Sequence, residues 1–368
     1  MPTSPRPNLE RLQPYSPGKP IEEVQREFGL QKIIKLASNE NPLGPSPRAV
    51  QAIRAAAERA HLYPDAAAAD LRLALSSRIG LPAEQISVGN GSDELIHYLG
   101  VAFLERGDNV VAAHPSFVRY YATAHLADAE LRLIPLDESD AHDLDAMAVA
   151  VDDRTRLLFI ANPNNPTGTI VAGERLRRFL DDVSERTVVV LDEAYHEFCD
   201  SPDYVGAHQL LHEGRPVVGL RTLSKTYGLA GLRVGYLFGP PEWVQAVERV
   251  REPFNVNSLA QAAAVAALSD EEHLQRSIEQ NRRGIARLTD ILTAAGASVA
   301  NSYANFVWGR FPFPTASLCG SLLAKGVIIR SGDVFGCADC VRVSVGTDEE
   351  LNIFEAALKE VMESLPKE

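Results

Sequence analysis

Between residues 86 and 238 short apolar runs alternate with longer helical stretches, and this alternation limits the possible folds more than any other feature of the chain. "QISVG" leads into "SDELIHYLGVAFLE", and "NVVAAH" into "FVRYYATAHLAD". "RLLFIAN" runs through a turn to "GERLRRFLDDV", and "TVVVLDEAY", "PVVGLRTL" and "GYLFG" follow. Several of these runs are apolar throughout and β-branched, as strands covered on both faces are. The expectation is an α/β fold: a mostly parallel central sheet flanked by helices. After about Asn257 the pattern changes. Two helical stretches come in succession, the second long, and then "NFVWGRF", "GVIIRS" and "VRVSVG" alternate with helices. That reads as a smaller α+β domain. The expected division is an N-terminal arm over 1–40 that belongs with the small domain, a large domain over 41–260, and the small C-terminal domain over 261–368.

Composition narrows the function classes. The chain has 368 residues and a formal net charge of −13. A surface of that sign argues against nucleic acid or an acidic membrane as partner. An anionic substrate would need a local basic pocket. No apolar run approaches the roughly 20 residues of a membrane span. The opening "MPTSPRPNLE" has no apolar core of a secretory signal, so a cytoplasmic protein is expected. Two of the four cysteines form Cys337-Ala-Asp-Cys340. No second close Cys or His pair completes a metal site, and the pair precedes a strand instead of opening a helix, so the thiols read as incidental and no metal is expected.

In open α/β sheets, ligands lie outside the carboxyl ends of the strands. There the sequence places Asn90-Gly91-Ser92-Asp93, then "NPNNPTG" with Asn165, then Asp192 with Tyr195 close behind, then Ser224 and Lys225. A lysine in a desolvated site has a lowered pKa and becomes a nucleophile, which suits Schiff-base chemistry. Pyridoxal 5′-phosphate is an aldehyde for such an amine. Its ring nitrogen works as an electron sink only when protonated, and Asp192 would keep the proton there. Asn165 and Tyr195 are neutral donors for the ring's phenolate oxygen. Gly91, Ser92 and Asp93 at a helix start, with Ser224 and Arg233, suit its phosphate. Phe117 would stack on the ring. Each residue alone has a plainer reading, as turn, cap, core or surface ion pair. Their joint placement at successive strand ends favours the chemical one.

The order "NPNNPTG … DEAY … SKTYGLAGLRVGY … VRVSVG" resembles the fold-type I aminotransferases that use pyridoxal phosphate, over essentially the whole chain. The opening "LQPYSPGKPIEEVQREFG … KLASNENPLGPSP" is similar, more narrowly, to histidinol-phosphate aminotransferases. The resemblance implies that Lys225 carries the cofactor and later moves a proton between the substrate and the cofactor. It implies that Tyr63, in "YPD", reaches the cofactor phosphate from the other subunit of a homodimer with shared sites. Arg342 would take the carboxylate of glutamate or 2-oxoglutarate, and Arg342 and Arg330 the phosphate of histidinol phosphate. Tyr15 and Asn39 would close the substrate side. Two positions depart from the family pattern: Phe117 where tyrosine is frequent, and Ser331 where proline is common.

The resemblance implies a ping-pong transaminase of histidine biosynthesis. An aromatic amino acid aminotransferase is the alternative in the same class, and a threonine-phosphate decarboxylase the alternative in another. A nicotinamide dehydrogenase is the rival at the level of fold, but "GNGSDE" lacks the third glycine of that fingerprint.

Overall fold

The computed structural model describes residues 4–12, 19–184 and 186–364. Seven strands form the large sheet: β1 (Ile86–Gly89), β2 (Asn109–His114), β3 (Glu130–Pro135), β4 (Thr155–Ala161), β5 (Val188–Asp192), β6 (Val218–Thr222) and β7 (Gly235–Phe238). Their order is β1-β7-β6-β5-β4-β2-β3. All neighbours are parallel except β7, which runs antiparallel between β1 and β6.

The apolar runs are explained by burial on both faces. Val110, Ala112, Leu157, Phe159, Val188 and Val190 pack under the helices Ser92–Phe103, Val118–Leu126 and Pro241–Val250. The alternate residues Val111, Leu158, Ile160, Val189 and Leu191 pack under Ala69–Ile79, Gly173–Asp182 and Ser258–Leu268. A side-chain period of two thus feeds two cores from one strand. β3 does not fit the expected pattern and is absent from the sequence reading. It is an edge strand with no buried residue, "ELRLIP", and only one neighbour in the sheet. Phe117 also differs from expectation: it lies just before its helix, with extended backbone angles, at the N-cap.

From β2 the chain moves outward to β3, then returns to β4 on the other side of β2. This reversal opens a crevice at the carboxyl ends of the strands, where α/β folds bind ligands.

The C-terminal part begins with the long helix Glu271–Ala294. It is built on β8 (Ser298–Val299), β9 (Phe306–Arg310), β10 (Arg330–Ser331) and β11 (Cys340–Ser344), in the order β10-β11-β9-β8. Leu288, Val307, Phe311, Val341, Val343 and Phe354 share its core. Near the N-terminus, Ile34–Lys35 pairs in parallel with Val327–Ile328 and joins the arm to this half.

One buried ion pair ties the middle of the large sheet. Glu193 follows β5 and accepts from Arg221 Nε of β6 at 2.8 Å; the two side chains are 1% and 5% exposed. The same carboxylate accepts from the amide of Ala207 at 2.7 Å and from the hydroxyl of Tyr204 at 2.9 Å. Burial alone would raise the Glu193 pKa, but Arg221 and these donors hold it below its ordinary value. Arg221→Met would leave that charge buried without its cation. We expect a stability loss of about 3 kcal/mol or more, read as a lower urea midpoint. A midpoint equal to that of the native chain would show the pair to be dispensable.

Candidate active site

Four strand ends converge on one cavity of about 280 Å³, lined among others by Ser92, Asp93, Phe117, Asn165, Asp192, Tyr195, Ser224, Lys225, Arg233, Arg330 and Arg342. The candidates of the sequence reading are therefore brought together, with Asn39 also on the wall. Tyr63 is not among them. It is 83% exposed and stacks on Phe254 at 4.7 Å between ring centroids. Tyr15 lies outside the described residues.

Lys225 follows β6 after the buried pair Leu223 and Ser224. Its Nζ donates to the carbonyl of Ser38 at 3.4 Å and lies 5.9 Å from the centre of the Tyr195 ring. Burial first, then the nearby Arg342 and Arg233, lower its pKa from 10.5 to about 8, against the opposing pull of Glu40 and Asp93. A neutral, nucleophilic amine is thus within easy reach near pH 8.

Asp192 ends β5 and is 5% exposed. Its Oδ2 accepts from the Tyr120 hydroxyl at 2.6 Å, and its Oδ1 from the amide of Ala194 at 3.2 Å. Burial pushes its pKa up to about 6, with Asp93 and Glu193 adding to the rise. A cation bound in the cavity beside this carboxylate would stabilise its charged form. Tyr120 is a site residue that the sequence reading missed. It stacks on Phe159 with centroids 4.5 Å apart, so its ring looks like core while its hydroxyl serves the site. The usable signal was its place one turn beyond Phe117 in "FVRY".

An anion cradle lies opposite. Gly91 has φ +77° and caps the helix Ser92–Phe103. A Cβ added to Gly91 would lie 2.4 Å from Arg233 Nη2, so only glycine lets the guanidinium cover this helix start. Arg233 itself has φ +57°. It donates at 3.5 Å to both Ser224 Oγ and Asp93 Oδ2. The free amides of the helix start, the guanidinium and the hydroxyls of Ser92 and Ser224 together suit a phosphate.

The third wall comes from the C-terminal half and the arm. Asn39 has φ +55°, is 2% exposed, and donates from Nδ2 to the Tyr195 hydroxyl at 2.9 Å. Its Oδ1 accepts from Ser344 Oγ at 2.8 Å. Arg342 donates to the carbonyl of Ala37 at 2.8 Å and to Asn165 Oδ1. Asn165 therefore spends its oxygen on Arg342 and keeps its amide nitrogen as the donor. Arg330 lies directly opposite Arg342 in the β10–β11 ladder, and both line the cavity. Phe306 and Phe335 flank the Arg342 guanidinium at 5.2 and 5.4 Å.

These parts fit pyridoxal phosphate on their own chemistry: a desolvated amine, a buried carboxylate drawn to a cation, two neutral donors, an aromatic face at Phe117 and an anion cradle. Comparison with known proteins points the same way. Residues 31–358 match the model of the family described as aminotransferase class I and II. The chain is 46% identical over 352 residues to a histidinol-phosphate aminotransferase of Moorella thermoacetica, covering 95% of this chain and 91% of that one. It is similar to the crystal structure of histidinol-phosphate aminotransferase from Sinorhizobium meliloti in complex with pyridoxal-5′-phosphate. There the TM-score is 0.90 and the identity 30%, with 98% of each chain covered. The L-threonine-O-3-phosphate decarboxylase of Porphyromonas gingivalis shares the fold at a TM-score of 0.78 and 24% identity.

Desolvation of Lys225 is directly measurable. After treatment with hydroxylamine to strip bound carbonyl compounds, limiting acetic anhydride should modify Lys225 with a midpoint near pH 8, against 10.5 for an ordinary lysine. Peptide mass spectrometry reads the site, and a midpoint in the ordinary range would remove the argument from burial.

Proposed function

We propose that this chain, which belongs to the class I and II aminotransferase family, exchanges amino groups between L-histidinol phosphate and 2-oxoglutarate on bound pyridoxal 5′-phosphate. The observation that carries the substrate assignment is the pair Arg330 and Arg342. They are cross-strand neighbours on one wall of the cavity that holds Lys225. Two guanidiniums side by side suit a phosphate dianion, and one of them suits a carboxylate. A single pocket can then take both substrates in turn, as ping-pong transfer requires. The high identity to enzymes named for histidinol phosphate supports the same reading.

When bound, the cofactor supplies a ring that takes up the electron pair released at the substrate's α-carbon. The chain does the rest. Lys225 Nζ would hold the cofactor through its aldehyde, and afterwards carry the proton to and from the substrate's α-carbon. Its lowered pKa suits both tasks. Asp192, oriented by Tyr120, would hold a proton on the ring nitrogen, and its buried charge makes that cation favourable. Asn165 Nδ2 and the Tyr195 hydroxyl would face the phenolate, and Phe117 the ring. Ser92, Ser224, Arg233 and the amides after Gly91 would hold the phosphate. Asn39 would orient Tyr195. We place the active form as a homodimer in the cytoplasm, with Tyr63 serving the partner's site: its exposed ring stands on Phe254, outside its own cavity.

The first test is a half-reaction screen. Purified enzyme mixed with L-histidinol phosphate should lose the visible absorbance of its cofactor, and release no CO2. Release of CO2 from threonine phosphate would favour the decarboxylase instead. Arg330→Ala should lower kcat/KM for histidinol phosphate by at least about 30-fold while phenylalanine loses less than about threefold. Equal losses would favour an aromatic amino acid aminotransferase.

Shared sites make a separate prediction. Tyr63→Ala and Lys225→Ala should each be badly impaired alone. Unfolded together, mixed equally and refolded, they form dimers in which one site collects both defects and the other none. With random pairing, activity should return to roughly a quarter of the native level. No return, with mixed dimers seen by native mass spectrometry and both single variants refolded, would place Tyr63 in its own chain's site.

A further inference from the structure

Sequence pattern alone makes Cys337 and Cys340 incidental; their position in the fold does not. The amide of Cys340 donates to the carbonyl of Cys337 at 3.1 Å, closing a four-residue turn. Such a turn holds its end Cα atoms within about 7 Å, and a disulfide spans roughly 4.4–6.8 Å. Cys337 is half-buried between exposed Gly336 and Ala338. It opens on a groove of about 540 Å³ lined also by Arg310, Phe311, Phe313 and Asp339. Cys340 is fully buried behind it. The four thiols are not equivalent. Burial raises Cys199 and Cys319 to about 11, whereas the contact with Cys340 and the nearby Arg310 lower Cys337, and the same contact raises Cys340.

This turn belongs to the segment that joins the two cavity arginines. Arg330 and Arg342 face each other across the ladder, and residues 331–341 connect them. The carbonyls of Cys337 and Cys340 press on Gly332, where an added Cβ would meet them at 2.1 and 2.6 Å. Cys337 also donates its amide to the carbonyl of Gly332 at 3.0 Å. Phe335, two residues before Cys337, lies on the Arg342 guanidinium at 5.4 Å.

We propose that Cys337 and Cys340 form a reversible disulfide site, closed by exchange with a small-molecule disulfide in the groove beside Cys337, and that closure weakens anion binding at Arg330 and Arg342. The Cys337 thiolate attacks one sulfur of the small disulfide and expels the first thiolate. Cys340 then gives up its proton and attacks the Cys337 sulfur of the mixed disulfide, expelling the second. Two protein thiols are oxidised, and one disulfide is reduced to two thiols. Closure turns the Cys340 side chain out of its buried place in β11. Gly332 has no room to absorb the shift, so it passes to Arg330 and to Phe335 over Arg342.

The effect on substrate rests on the proposed transaminase reading; the disulfide does not. Holoenzyme is incubated in glutathione disulfide, and peptides are mapped by mass spectrometry before and after dithiothreitol. The expected product links Cys337 to Cys340 with the loss of two hydrogens and leaves Cys199 and Cys319 free. KM for histidinol phosphate should rise at least about fivefold with kcat changed less than about twofold. Dithiothreitol should restore it, and Cys337→Ser and Cys340→Ser should not respond. No linked peptide, a mixed disulfide that stays on Cys337, or a linked enzyme with unchanged KM would each overturn the proposal. A reduced enzyme that transfers no amino group from histidinol phosphate would instead overturn the substrate assignment and leave the peptide map to stand by itself.

Discussion

Desolvation at two neighbouring strand ends governs this molecule. Asp192 ends β5 and Lys225 follows β6, and burial disfavours the charged form of each. The carboxyl is pushed up to about 6 and the amine down to about 8. In water neither would be reactive in this way near neutral pH. The surrounding fold serves to keep both groups dry. Parallel strands deliver them to the same end of the sheet, and the reversal between β2 and β4 leaves a crevice over them.

Holding such groups requires rigidity behind them. Glu193 and Arg221 supply it from the residue next after Asp192 and from the strand that leads to Lys225. The pair lies away from the cavity walls, yet it ties together the strands that carry the chemistry, the turn at Tyr204 and the helix start at Ala207. Isolated, it would be an expensive way to stabilise a core. Here it fixes the spacing between two strand ends whose side chains must meet one ligand.

The large sheet was legible because its strands are covered on both faces, which makes them apolar without interruption. β3 escaped for the opposite reason: on an edge none of its residues is buried, and "ELRLIP" looks like any half-exposed segment. The antiparallel course of β7 left no mark in composition. At the site, residues that punctuate strand ends were readable together, because each alone has a structural motive but their placement at successive strand ends has one chemical explanation. Tyr120 was not, since a stacked aromatic on a helix has every structural motive. Its role depends on where Asp192 arrives from 72 residues away. The same holds for the pairing of Asn165 with Arg342, which joins the two halves of the chain.

That last pairing shows how the two halves act on one another. Arg342 holds the oxygen of Asn165, and Ser344, two residues along the same strand, holds Asn39, which in turn donates to Tyr195. Asn165 and Tyr195 are therefore both oriented from β11. A displacement of β11 would disturb Asn165, Tyr195 and Arg342 together, since the strand carries both connections. The exposed turn at Cys337 leads directly into that strand. Chemistry in the groove beside Cys337 would therefore reach the strand that carries Arg342 and Ser344.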